Sequence, residues 1–339
     1  MHTSATAPQS PDSRRPARPV VPSSPVITRR RTHLWIALLS SVLVFGILLI
    51  VAFHGFVAWM LAYPYVAPLT SNPMEAKNLP YSDVTFPSAS GKTKVHGWYI
   101  PAQSESSRTI VFSHGYGANR EETWVPMYEL ANLMSGLDYN VLLFDYAYAS
   151  KLDRAPATGG QEEAQQLLAA VDFARQQGAD NVVVWGFSMG AGTALQAALE
   201  TDLIDAMILD STFLADPDTL FDTITQFVNL PRYPSLPLIK AMLPLWTGTS
   251  FSQLQIEQAR QAVYRMPIYL IHGTEDDKAP VHIAEAVSAL QTHPLSSEWI
   301  VPGGKHELLF QVHPKEYIHR AAGFLSQVHA EGVTLADAN

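Results

Sequence analysis

The sequence predicts an α/β protein in which a mostly parallel sheet of eight strands is flanked by helices, with one membrane-spanning helix ahead of it. Three patterns lead there. From Tyr81 onward, short β-branched or aromatic runs bounded by turn residues alternate with longer amphipathic stretches, the sign of βαβ units. Most of the strand-like runs are apolar throughout, as expected where helices cover both faces of a sheet. Before them, Leu34–Leu61 is broken only by Ser40, Ser41, Gly46, His54 and Gly55, longer than the ~20 apolar residues that a bilayer core requires.

Residues 1–33 read as a disordered basic tail, because Pro8, Pro11, Pro16, Pro19, Pro22 and Pro25 break any helix and few apolar groups are present to offset chain ordering. Six arginines against Asp12 give this tail a charge of +5, so the net −9 of the 339-residue chain leaves −14 on the rest. A body that acidic is a poor nucleic-acid binder, since phosphate neutralisation needs a surplus of Lys and Arg.

Residues 34–62 form the expected anchor, with Trp35 at one end and Trp59, Tyr63 and Tyr65 at the other, where an aromatic belt would sit. The run exceeds the roughly 7–15 residues of a signal-peptide core, which favours an uncleaved anchor. The arginines keep the tail cytoplasmic by the positive-inside rule and put everything after Tyr65 on the outer face. His54 reads as a neutral histidine near the outer interface. Residues 63–80, with Pro64, Pro68, Pro73 and Pro80, read as an extended linker.

The body is expected over residues 81–329. Its strands are predicted at Ser82–Phe86, Val95–Ile100, Thr109–Ser113, Val141–Phe144, Val182–Trp185, Ala206–Leu209, Ile268–Ile271 and Glu298–Val301. Helices are predicted at Arg120–Ser135, Gln161–Gln177, Gly190–Glu200, His282–Leu290 and Lys315–Val328. Residues 213–262 contain no good strand and carry five prolines, so they read as a short helical lid inserted between two core strands. Residues 330–339 read as a flexible C-terminus.

Zero cysteines exclude disulfides and thiolate catalysis together. The nucleophile the chain presents is a serine. Gly186-Phe187-Ser188-Met189-Gly190 matches G-x-S-x-G and stands directly between a predicted strand and a predicted helix, the context that motif requires. A serine hydroxyl is a weak nucleophile and needs a base that is itself oriented by a carboxylate. Downstream, the strand Ile268–Ile271 runs into His272-Gly273-Thr274-Glu275-Asp276-Asp277, and the last strand runs into Gly303-Gly304-Lys305-His306. Ser188, Asp276 and His306 thus form a candidate triad at strand carboxyl ends. Asp277 and Asp210 are the other acids in reach; Asp277 reads as a loop residue and Asp210 as a brace for the start of the lid.

Donors for a developing oxyanion are expected from the backbone N–H groups of Tyr116, in the turn Ser113-His114-Gly115-Tyr116-Gly117, and of Met189. His114 reads as a residue bracing that turn, and Lys305 as facing solvent. Tyr146, Phe187, Phe213 and Trp246 are candidates for lining an apolar acyl pocket. No His-Glu-x-x-His pattern occurs, and the reading calls for neither metal nor cofactor.

These residues carry a family resemblance. Val95-His96-Gly97-Trp98-Tyr99-Ile100-Pro101, Ser113-His114-Gly115-Tyr116-Gly117-Ala118-Asn119, Phe144-Asp145-Tyr146, the Ser188 elbow, Ile208-Leu209-Asp210-Ser211-Thr212-Phe213, His272-Gly273-Thr274-Glu275-Asp276 and Gly303-Gly304-Lys305-His306 occur in the order seen in the α/β-hydrolase superfamily. The chain resembles the small membrane-anchored members with one N-terminal span, over residues 80–328. The resemblance implies a serine hydrolase of esters, thioesters or amides that works through an acyl-enzyme without a cofactor, and favours Asp276 as the triad acid. One departure stands out: similar proteins follow Phe-Asp-Tyr with Arg-Gly-x-Gly-x-Ser, whereas Ala147-Tyr148-Ala149-Ser150-Lys151 follows here. The expected partner is a small-molecule or lipid-derived acyl substrate. Two other readings stay open: a non-catalytic binding protein of the same fold at the membrane surface, and an aminopeptidase-like hydrolase.

Overall fold

The computed structural model describes Ser4 and residues 26–337. The predicted tail, Ser4 apart, lies outside the described residues up to position 25. From Val26 the chain is already helical, and helix α1 runs Val26–Ala62. Residues 31–62 of it, which include 18 residues of mean hydropathy 2.9, are long and apolar enough to cross a membrane.

All eight predicted strands form. They are β1 (Ser82–Pro87), β2 (Lys94–Ile100), β3 (Arg108–Ser113), β4 (Asn140–Asp145), β5 (Asn181–Phe187), β6 (Ala206–Asp210), β7 (Ile268–Gly273) and β8 (Ser297–Val301). They make one sheet in the order β1-β2-β4-β3-β5-β6-β7-β8. β2 pairs antiparallel with β1 and β4, and every later pairing is parallel. Successive side chains of a strand point to opposite faces. In β5, Val182 and Val184 therefore enter one core while Val183, Trp185 and Phe187 enter the other, which is why the central strands read as unbroken apolar runs.

Helices α4 (Gln161–Gln176), α5 (Met189–Ala197), α8 (Ile256–Gln261) and α9 (Val281–Leu290) cover the first face. Helices α3 (Met127–Gly136) and α11 (Pro314–Asp337), with the short α10 (Leu309–Val312) just before the latter, cover the second. Two boundaries differ from expectation. The helix expected from Arg120 begins only at Met127, after Pro126; residues 119–122 are instead engaged outside any helix, the Arg120 amide donating to Asp145 Oδ1 at 2.8 Å and Glu121 accepting from the Thr70 amide at 2.6 Å. At the other end, α11 continues through the segment expected to be flexible as far as Asp337.

The insertion at 213–262 is helical, built of α6 (Pro217–Thr225), α7 (Arg232–Thr247), a short 3-10 turn and α8. Its apolar residues Phe221, Ile224 and Ile239 pack with Val57, and His54 Nε2 pairs with Ser235 Oγ at 2.9 Å. His54 is therefore a buried residue held by the insertion. Leu34–Phe53 of α1 are exposed almost throughout, whereas Val57, Ala58 and Ala62 are buried.

The stretch expected as a linker is bonded to the body. The Ala157 amide donates to Ala62 O at 2.7 Å, Arg154 Nη2 to Pro64 O at 2.6 Å, and Asn119 Nδ2 to Ala67 O at 2.8 Å. A short helix, α2 (Pro73–Lys77), capped by Asn72, completes it.

Candidate active site

The carboxyl ends of β3, β5, β7 and β8 converge on one edge of the sheet, the edge where open α/β sheets place their sites. β5 ends in Ser188, which sits at φ 50°, ψ −117° and leads straight into α5. So tight a strand-to-helix turn needs bare backbone on both sides. A Cβ on Gly190 would stand 2.0 Å from Ser113 O, and one on Gly186 2.6 Å from Ala191 Cα. The G-x-S-x-G spacing thus follows from close packing as much as from chemistry.

Ser188 Oγ lies 2.8 Å from His306 Nε2, and His306 Nδ1 lies 2.7 and 2.9 Å from the two oxygens of Asp276. A carboxylate can only accept, so Nδ1 carries the proton and Nε2 is left to accept from the serine. Asp276 is aimed by its own loop, where the amides of Lys278 and Ala279 donate to Oδ1 at 3.0 and 2.8 Å. Burial alone would lower the affinity of His306 for a proton, yet its pKa is raised, because the Asp276 hydrogen bond and the Glu307 and Asp276 charges outweigh desolvation. The three side chains are almost closed off, with Ser188 7% and His306 8% exposed. A polar cavity of about 490 Å³, lined by Thr93, Thr158, Gln161, Gln165, Gln196 and Thr249 among others, includes none of them.

The structure separates Asp210 from this chain. Its Oδ2 accepts from Tyr317 Oη at 2.7 Å and its Oδ1 from Ser211 Oγ at 2.9 Å. Burial pushes its pKa up to about 7. It braces α11 through Tyr317 rather than the start of the insertion. Ser211 Oγ also accepts the Glu307 amide at 2.9 Å, tying the loop of His306 to the end of β6. Asp277 contributes its carbonyl to Gln226 of the insertion, and Lys305 is exposed.

Met189 is the first residue of α5, so no carbonyl one turn earlier receives its amide. Tyr116 lies in the turn after β3, and its hydroxyl donates to Leu61 O at 2.6 Å. His114 is buried; its Nε2 accepts the Tyr146 amide at 3.1 Å and its Nδ1–H donates to Gly115 O at 2.9 Å. Burial drops its pKa to about 4, so it is a neutral brace for the turn.

The proposed pocket lining is largely corrected. Tyr146 is fully buried, its hydroxyl against Ser113 Oγ and its ring against His114 and Phe144. Phe187 stacks on Phe112 and Trp185 in the core, because it follows Trp185 by two along β5 and shares its face. Trp246 is half-exposed and donates to Gly55 O at 3.1 Å, beside the end of α1. The backbone of Phe213 meets the serine, its amide donating to Ser188 O at 3.1 Å. Reading from the sequence also passed over Glu122, Trp124 and Glu307, which gather around Gly115 and His306. The available signal was the acid immediately following the base.

Residues 108–234 match the family model described as alpha/beta hydrolase fold. Among curated proteins, Escherichia coli (strain K12) YfhR is 25% identical over 224 residues, covering 63% of this chain and 69% of that protein. Salmonella typhimurium YfhR is 24% identical over 265 residues, covering 72% and 79%. Among solved structures, the Pyrococcus furiosus esterase Pf2001 superposes with a TM-score of 0.63 at 23% identity, covering 79% of this chain and 98% of that one. The alpha/beta hydrolase GrgF from Penicillium sp. sh18 superposes with a TM-score of 0.55 at 18% identity, covering 74% and 100%. With the sheet order, the serine at the β5–α5 elbow and the matched segment agreeing, the chain has the alpha/beta hydrolase fold.

Proposed function

We propose that the protein is a membrane-anchored serine hydrolase that cleaves an ester, thioester or amide through an acyl-enzyme on Ser188. The observation that carries this reading is the unbroken chain from Ser188 Oγ through both nitrogens of His306 to Asp276, at 2.8 and 2.7 Å. His306 takes the serine proton as Oγ attacks the acyl carbon, and Asp276 holds the ring and stabilises the imidazolium. The amides of Tyr116 and Met189 receive the oxyanion, and His306 returns the proton to the leaving group. Water, activated by the same histidine, then releases the acyl group. No cofactor is needed.

The anchor is α1. Its nearly continuous exposed stretch, Leu34–Phe53, spans roughly 30 Å at about 1.5 Å per residue, the thickness of a bilayer core. Arginines at 29, 30 and 31 keep the N-terminus cytoplasmic and the hydrolase domain outside. A tether of this kind suits small or lipid-derived acyl substrates.

A fluorophosphonate probe tests the chemistry: labelling of the wild type that vanishes in Ser188→Ala is expected, and unlabelled folded wild type would sink the proposal. A p-nitrophenyl ester series run beside aminoacyl anilides tests the substrate class, with faster turnover of anilides overturning the ester preference. Protease protection of a C-terminal tag in sealed cells or spheroplasts tests the orientation.

A further inference from the structure

Two carboxylates stand beside the triad without belonging to it. Glu307 directly follows His306, and Glu122 comes from the loop after the turn that holds Tyr116. Their residues are only 5% and 3% exposed. Both have positive φ, 56° and 24°, a conformation uncommon for a residue with a side chain. Both carboxylates reach the same glycine: a Cβ on Gly115 would stand 2.5 Å from Glu307 Oε1 and 3.1 Å from Glu122 Oε1.

Hydrogen bonding leaves this pair incomplete. Glu307 Oε2 accepts from Trp124 Nε1 at 2.6 Å. Glu307 Oε1 and both oxygens of Glu122 are buried without a well-formed hydrogen bond among the described residues, the Gly115 amide offering Glu122 partial support. Two ionised carboxylates side by side without water would bear both mutual repulsion and lost hydration. A single proton on Glu122, donated to Glu307 Oε1, relieves both and leaves one charge, on Glu307. Proton affinities run the same way. Burial first, and then the Glu307 charge, push Glu122 well above the usual carboxylate range. Burial also raises Glu307, while His306, Trp124 and Lys278 pull it back. Asp210 on the Glu122 side and Asp276 on the Glu307 side are the remaining charged groups facing the pair, and both favour the shared proton.

The charge that remains is well placed. Glu307 Oε2 lies 3.9 Å from His306 Nε2, too far for a hydrogen bond that would compete with Ser188 and near enough to attract an imidazolium. We propose that Glu122 and Glu307 hold one proton between them as a positioning pair, in which Glu122 is the acid and the ionised Glu307 favours protonation of His306 when Ser188 gives up its proton. Asp276 acts on the Nδ1 side of the ring and Glu307 on the Nε2 side. During the reaction the proton moves from Ser188 Oγ to His306 Nε2, and none leaves the pair. This inference rests on the roles assigned above to Ser188 and His306.

The test compares pH profiles of p-nitrophenyl acetate hydrolysis by the full-length chain in detergent. Glu307→Gln keeps an acceptor for Trp124 but removes the charge. It is expected to lower kcat roughly tenfold with KM little changed, and to move the acid limb of kcat/KM down by roughly one pH unit. Glu122→Ala leaves Glu307 without its donor and is expected to lower kcat/KM roughly tenfold; Glu122→Gln, whose amide donates where the acid does, restores most of that loss. An acid limb unmoved in Glu307→Gln, or a Glu122→Gln as impaired as Glu122→Ala, overturns the proposal. Infrared difference spectroscopy in the Ser188→Ala background supplies a readout independent of turnover. A buried carboxylic-acid band present there and lost on adding Glu122→Gln supports the shared proton, and its absence overturns it. Hydrolysis persisting in Ser188→Ala would instead refute the nucleophile, leaving the infrared result to judge the pair.

Discussion

Tyr116 joins the turn after β3 to the end of the apolar helix: its hydroxyl donates to Leu61 O at 2.6 Å. The backbone of this residue is a proposed oxyanion donor, so one side chain links the site to the last turn of α1. Tyr116→Phe removes the bond and keeps the ring. It is expected to lower kcat about three- to tenfold while shifting the melting temperature little, since one hydrogen bond contributes about 1 kcal/mol. Steady-state kinetics beside calorimetry checks this, and an unchanged kcat would show that the link does not hold the turn.

The two candidate acids are separable. Asp276→Asn leaves the ring of His306 with a partner that no longer enforces its tautomer, and turnover is expected to fall roughly 10³- to 10⁴-fold with the fold intact. Asp210→Asn touches Tyr317 and Ser211, not His306, and turnover is expected to stay within tenfold. The reverse ranking would move the acid to β6.

Activity requires His306 neutral. Its pKa is raised despite burial, chiefly by the Asp276 hydrogen bond. The acid limb of kcat/KM is therefore expected above the ordinary histidine value of about 6.5, with rate lost as pH falls through that limb. A profile whose limb lies below that value would contradict the assigned geometry.

Stability carries the opposite slope. Asp210 is raised by burial from an unfolded value near 3.8 to about 7, so the folded state binds its proton more tightly. Its contribution is complete below about 4 and is lost as pH rises to about 7. Glu122 and Glu307, also raised by burial, add to the same trend. Melting temperature is expected to be higher at pH 5 than at pH 8, and the slope flatter in Asp210→Asn, by an amount on the order of 1–4 kcal/mol. Calorimetry across that range decides.

Gly190 faces Ser113 O at a distance no Cβ tolerates. Gly190→Ala is expected to cost about 3 kcal/mol or more by overpacking and to abolish activity together with the elbow. Chemical denaturation measures the loss; wild-type stability would show that the β3–β5 contact yields easily.

Strand positions were legible because their signal is local: Val182–Trp185 and Ile268–Ile271 are short, β-branched-rich runs, apolar on both faces as in a sheet covered by helices and bounded by turn residues. The elbow was legible for a related reason: its G-x-S-x-G spacing is contiguous in the chain, although Gly190 is demanded by Ser113 O on a neighbouring strand and only Gly186 by a contact a few residues away. Ser188, Asp276 and His306 came from loops that end strands, where the topology itself brings the chain to one edge. Tertiary structure alone decided the rest. Tyr146 and Phe187 look like pocket aromatics until the fold turns them into the core, and Trp246 until it is seen to bond Gly55 O of α1. Glu122 and Glu307 are 185 positions apart in the chain, and only the packing around Gly115 makes them neighbours. Composition and periodicity report which face of an element is apolar; which polar groups meet, and which of them must share a proton, depends on distances set by the whole fold.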